Sequence, residues 1–130
     1  MSKQEKLENI ALVGNSDSYG YKIISLLDAL DEIKIKKYSP RDIEELFFVK
    51  NDLTKNIKYK CIFICTSIFS SENNSNENQK IDFPLGLTLL KTIRTEDSIN
   101  KDSMIVIIGE QNDQRYRKKA EKYGADKYIF

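Results

Sequence analysis

Tyr59-Lys60-Cys61-Ile62-Phe63-Ile64-Cys65 is the most apolar strand-like stretch of the chain, and the architecture turns on it. From Cys61 onward it does not alternate between apolar and polar residues, as a half-buried strand does. A short run that is apolar on both sides is the mark of a strand covered on both faces, the situation of a central strand in a parallel sheet. Two runs of the same character lie on either side of it. Ile10-Ala-Leu-Val13 is closed by Gly14, Asn15 and Ser16, and Met104-Ile-Val-Ile-Ile108 is closed by Gly109. Ile33 and Ile35 alternate with Lys34 and Lys36, the period of a strand with one wetter face. Lys127 to Phe130 supplies a fifth strand.

Helical patterns fill the intervals. Asp17 or Ser18 caps a first helix with an expected inner stripe of Ile23, Leu26, Leu27 and Leu30. Ser39-Pro40-Arg41-Asp42 reads as the start of a second. Ser39 serves as the cap, Pro40 takes the first helical position, and Asp42 sits where the macrodipole favours an anion. Ile43, Leu46 and Phe47 are expected to face the core. Leu85 to Arg94 is a third helix, with Leu85, Leu89, Leu90 and Ile93 at helical spacing. Asn112 or Asp113 caps a fourth, with Tyr116, Ala120 and Tyr123 inside and Gly124 as the stop. Residues 70–82 (SSENNSNENQKID) are polar and without period, so a flexible, solvated loop insertion is expected there.

The order β-α-β-α-β-α-β-α-β, with right-handed crossovers, makes an α/β protein with a parallel sheet and helices on both faces. The 130 residues amount to one domain, 1–130, which buries roughly two-thirds of its unfolded surface. Working loops in such sheets sit at the carboxyl ends of the strands. Here those are Gly14–Asn15, Cys65–Thr66, Gly109–Glu110 and the chain terminus.

Composition narrows the chemistry. A net charge of +1 provides no global field to attract nucleic acid or anionic lipid. No apolar run approaches the roughly 20 residues of a membrane span, and the polar N-terminus does not read as a signal peptide. Two cysteines and no export signal point to a reducing, cytoplasmic compartment. Cys61 and Cys65 share a strand face about 13 Å apart, beyond the roughly 7 Å a disulfide spans. They read as small buried hydrophobes. The chain has no histidine, which removes histidine-based nucleophile systems, imidazole zinc sites and the usual near-neutral proton shuttle.

Three segments, in their order and spacing, resemble response-regulator receiver domains of two-component signalling. Gly86-Leu-Thr-Leu-Leu-Lys-Thr-Ile-Arg94 looks like the family's third helix. Met104-Ile-Val-Ile-Ile108 resembles its fourth strand. Ala120-Glu-Lys-Tyr-Gly-Ala-Asp-Lys-Tyr-Ile129 is similar to the family's G-A-D-x-Y-I approach to the fifth strand. The resemblance spans nearly the whole chain. It implies a flavodoxin-like (βα)4β fold, a five-stranded parallel sheet of order 2-1-3-4-5, with the fifth helix missing.

The same resemblance implies that the phosphorylation chemistry is lost. The family holds Mg²⁺ with an acid pair after the first strand and an aspartate ending the third, which accepts the phosphoryl group. A Ser or Thr after the fourth strand and a Lys after the fifth respond to it. Here the acid pair falls on Gly14 and Asn15, the acceptor on Cys65, with Thr66 and Ser67 the nearest neighbours, and the Ser/Thr position on Gly109. The Lys position lies beyond Phe130. Hard Mg²⁺ wants carboxylate oxygens, so neither a metal nor another cofactor is expected. The reading that follows is a degenerate pseudo-receiver, not an enzyme, that acts by binding protein.

Its expected partner is another protein or a second copy in a homodimer. Without a fifth helix, apolar sheet surface over the third to fifth strands is left to be covered by a protomer, a partner or an absent C-terminal segment. Ile62, Ile64, Ile105, Ile107 or their alternate neighbours would emerge there. The family docks partners through its fourth helix and fifth strand, which implies a surface of Arg115, Lys118, Lys119, Lys122 and Tyr128. A basic stripe of this kind is also what an ordinary solvated helix face presents, and nucleic acid is not expected of a chain otherwise near neutral. The alternative function is a small-molecule or nucleotide-binding module. Gly14-Asn-Ser-Asp-Ser-Tyr-Gly20 follows a strand and opens a helix, the context in which backbone N–H groups cradle phosphate. An enzyme using Cys65 as nucleophile would lack a histidine base.

Overall fold

Five parallel strands hydrogen-bond in the order β2-β1-β3-β4-β5. They are β1 (Asn9–Val13), β2 (Lys34–Tyr38), β3 (Cys61–Cys65), β4 (Met104–Ile108) and β5 (Lys127–Ile129). Between them lie α1 (Tyr19–Ser25), α2 (Ile43–Asn51), α3 (Leu85–Ile93) and α4 (Gln114–Lys122), with a π-turn at Asp52–Asn56 closing α2. This is a computed structural model, and it describes residues 9–26, 34–68, 85–109 and 114–129. The loop expected at 70–82, Leu27 and Leu30 of the first stripe, and the capping candidates Asn112 and Asp113 lie outside the described residues.

The sheet divides two layers. On one side Ala11, Val13, Ile62, Ile64, Ile105 and Ile107 are buried under α2, α3 and α4. On the other, Leu12, Ile35, Cys65 and Ile108 pack against Tyr21 and Ile24 of α1. Parallel register places Ile62 beside Ile105 and Ile107 beside Tyr128, so one face is a continuous apolar layer. The alternate residues of the last three strands point to the α1 side. There Cys61 and Phe63 are half-buried, and Met104 and Ile129 are exposed. The barer face is therefore carried by the alternate neighbours, while Ile62, Ile64, Ile105 and Ile107 are fully covered.

Two helices are rotated from the expected phase. In α1 the core takes Tyr21 and Ile24, while Ile23 and Leu26 are exposed. In α2 Val49 is buried and Leu46 half-buried, and Ile43 and Phe47 are exposed. In α2 the start of the helix differs as well. Asp42, not Ser39, caps α2 and accepts from the Glu45 N–H at 2.9 Å. The helix thus begins at Ile43, after Pro40 rather than on it. Ser39 instead accepts from the Ser16 N–H at 3.3 Å, tying the β2 end to the β1 end. The first helix is capped by Ser18, one of the two expected candidates, whose Oγ accepts from the Tyr21 N–H. Helix α3 matches its expected stripe, with Leu89, Leu90 and Ile93 buried. Helix α4 ends at Lys122, and the turn after it passes through Gly124, whose φ of 106° is left-handed backbone that favours glycine.

Candidate functional site

The carboxyl ends of β1, β3 and β4 lie side by side, because Val13 pairs with Ile64 and Cys65 with Ile108. Gly14, Asn15, Cys65 and Gly109 therefore gather at one end of the sheet, as strand order requires. What they form is a packed joint. Cys65 is fully buried. A Cβ on Gly14 would lie 2.6 Å from Cys65 Sγ, closer than atoms tolerate, so no side chain fits there without displacing the cysteine. A Cβ on Gly109 would meet the Tyr128 hydroxyl. The space beside Gly14 and Gly109 is thus filled by the side chains of Cys65 and Tyr128.

The backbone at this end is equally engaged. Five consecutive amides donate within the protein. Gly14 N–H reaches Tyr38 O at 3.1 Å and Asn15 N–H reaches Ser67 O at 3.1 Å. Ser16 N–H reaches Ser39 Oγ, Asp17 N–H the Asn15 side chain at 2.9 Å, and Ser18 N–H the Asn15 carbonyl at 2.8 Å. A phosphate cradle requires such N–H groups to point at the ligand, and here they are turned to carbonyls and side chains. Asp17, the nearby acid, is exposed and belongs to this turn. Across the joint, Thr66 N–H donates to Ile108 O at 3.0 Å and Gly86 N–H to Thr66 O at 3.2 Å. Ser18 Oγ lies 3.9 Å from Cys65 Sγ and donates to it. Burial raises the Tyr21 phenol above its ordinary value, with the adjacent Cys65 adding to the effect. Among the described residues, no group of three or more His, Cys, Asp or Glu stands where it could hold a metal ion.

The expected partner surface is only partly at the surface. Lys118, Lys119 and Lys122 are exposed on α4. The Arg115 side chain lies outside the described residues. Tyr128 is buried, not presented. Strand alternation sends Lys127 and Ile129 to the α1 side and Tyr128 towards α4, where its ring meets the Arg117 guanidinium 5.3 Å from the ring centroid. That packing role of Arg117 carries no sequence signal. The exposed apolar residues of α2 do carry one: Leu46-Phe47-Phe48-Val49 is four apolar residues in a row, which cannot all face one side of a helix.

No protein-family profile and no curated protein matches the chain. Solved structures do. A response regulator from Burkholderia pseudomallei, determined with a phosphorylated aspartic acid and a calcium ion, aligns at 14% identity and a TM-score of 0.60 over 94% of this chain and 58% of its own. A response regulator from Thermotoga maritima aligns at 15% identity and 0.59, over 95% of this chain and 83% of its own. A signal receiver domain from Clostridium thermocellum aligns at 17% identity and 0.63, over 95% and 84%. The chain thus spans little more than half of the Burkholderia protein and most of the other two. The likeness establishes the fold: a flavodoxin-like sheet in the receiver-domain order.

Proposed function

We propose that this receiver-fold chain is a pseudo-receiver, a cytoplasmic signalling domain that takes no phosphoryl group and works by binding protein. The observation that carries the reading is the closed joint at Gly14 and Cys65. Aspartyl phosphorylation needs a carboxylate within reach of the phosphodonor and carboxylate oxygens for Mg²⁺. At the corresponding positions this chain has a fully buried thiol and a glycine with no room for a side chain. A thiol cannot form an acyl phosphate, and neutral neighbours give Mg²⁺ no charge to bind. The five engaged amides weigh equally against the nucleotide-binding alternative.

Binding surfaces support the protein-partner half of the reading. Ile23 and Leu26 of α1 and Met104 and Ile129 of the sheet are exposed, and Phe63 is half-buried on the α1 side of the sheet. Lys118, Lys119 and Lys122 offer a second, basic surface on α4. The decisive experiment exposes the chain to acetyl phosphate, and separately to beryllofluoride, with Mg²⁺. Mass spectrometry is expected to find no phosphoryl adduct, and amide NMR no saturable Mg²⁺ shifts. Saturable shifts around residues 14–16 and 65–67 would overturn the proposal.

A further inference from the structure

We draw no further inference here: the strongest candidate, the apolar groove between α2 and α3 lined by Ile43, Leu46, Phe47, Leu85 and Leu89, carries nothing because nothing in the structure shows what covers it.

Discussion

Arg94 ties several segments of the fold together with one side chain. Its Nε donates to Gly124 O at 2.9 Å, its Nη1 to Lys101 O and Ser103 O at 2.6 and 2.7 Å, and its Nη2 to Asp126 at 2.9 Å. Asp126 in turn accepts from the Ile105 N–H at 2.9 Å. The G-A-D turn before β5 is thus clasped to the ends of α3 and the start of β4. Lysine lacks the planar fork, so Arg94→Lys is expected to lower stability by about 2–4 kcal/mol in urea unfolding. Asp126 is half exposed, which makes the ion pair itself the weaker part, and Asp126→Asn should cost clearly less than Arg94→Lys. Asn100 does the same work on the other side of β4. It is fully buried, accepts from Tyr59 N–H and Ser103 Oγ, and donates to Leu53 O and Ile57 O. Asn100→Asp removes the donors and buries a charge, at an expected cost above about 2 kcal/mol. At the candidate site, the double substitution Gly14→Asp with Cys65→Asp is expected to destabilise the chain without restoring Mg²⁺ binding. The reason is that a Cβ at Gly14 has nowhere to go. Saturable Mg²⁺ shifts in a folded double variant would contradict this.

At the scale of the element, α2 differs from its sequence reading in both its cap and its buried residue. Asp42 is the cap, the helix starts at Ile43, and Val49 is buried. Asp42→Ala should therefore cost about 1 kcal/mol, whereas Ser39→Ala, expected from sequence to be the cap mutation, should act only through its bond to the Ser16 N–H. Thermal melts of the two variants decide between the assignments. The Arg41–Glu45 pair on the same turn is exposed, and its bonds to Arg41 hold the Glu45 carboxyl below the usual value. A depressed carboxyl contributes above its unfolded pKa and loses that contribution as pH falls through the folded one. Its NMR titration should be centred below that of an unpaired glutamate, and salt should reduce the difference. Capping of α2 and the chain's course through Ser39 were illegible for one reason. Ser39-Pro40 and Asp42 are both good helix starts, and the choice rests on a bond from β1's loop.

For the whole molecule, the sheet's two faces are unequal. Three helices cover one, and among the described residues only α1 packs on the other. The thicker layer holds a buried polar link: Tyr38 donates to Asp52 at 3.0 Å, and its hydroxyl lies 2.7 Å from that of Tyr59. Burial raises the pKa of both phenols. For Tyr38 the bonds to Tyr59 and Asp52 raise it further, and for Tyr59 the burial outweighs the hydrogen bond with Tyr38, which lowers it, while the Asp52 charge adds to the rise. The folded state holds these protons more tightly than the unfolded chain does. Their contribution is whole below the ordinary tyrosine value of about 10 and is lost as pH rises above it. Urea midpoints should fall above that pH, and Tyr38→Phe should flatten the fall. A midpoint that is level through the tyrosine range would show that the link does not matter to folding.

Much of this was legible from residues alone. Strands, the order of elements and the parallel sheet follow from runs such as Cys61–Cys65 and Met104–Ile108, because burial on both faces demands apolar residues at every position. The lack of acids at Gly14, Asn15 and Cys65, and of any histidine, is likewise a property of the chain's chemistry before it folds. The phase of α1 and α2, the inward turn of Tyr128 and the engagement of the five amides from Gly14 to Ser18 were not. Tyr128 and the first three amides depend on contacts with distant residues: Gly109 for Tyr128, Tyr38 and Ser67 for the first two amides, Ser39 for the third. A helix with apolar residues on several sides, as α2 has in Leu46-Phe47-Phe48-Val49, fits more than one burial pattern. Its neighbours across the core select the one that is realised, and those neighbours are set by the packing of the folded sheet.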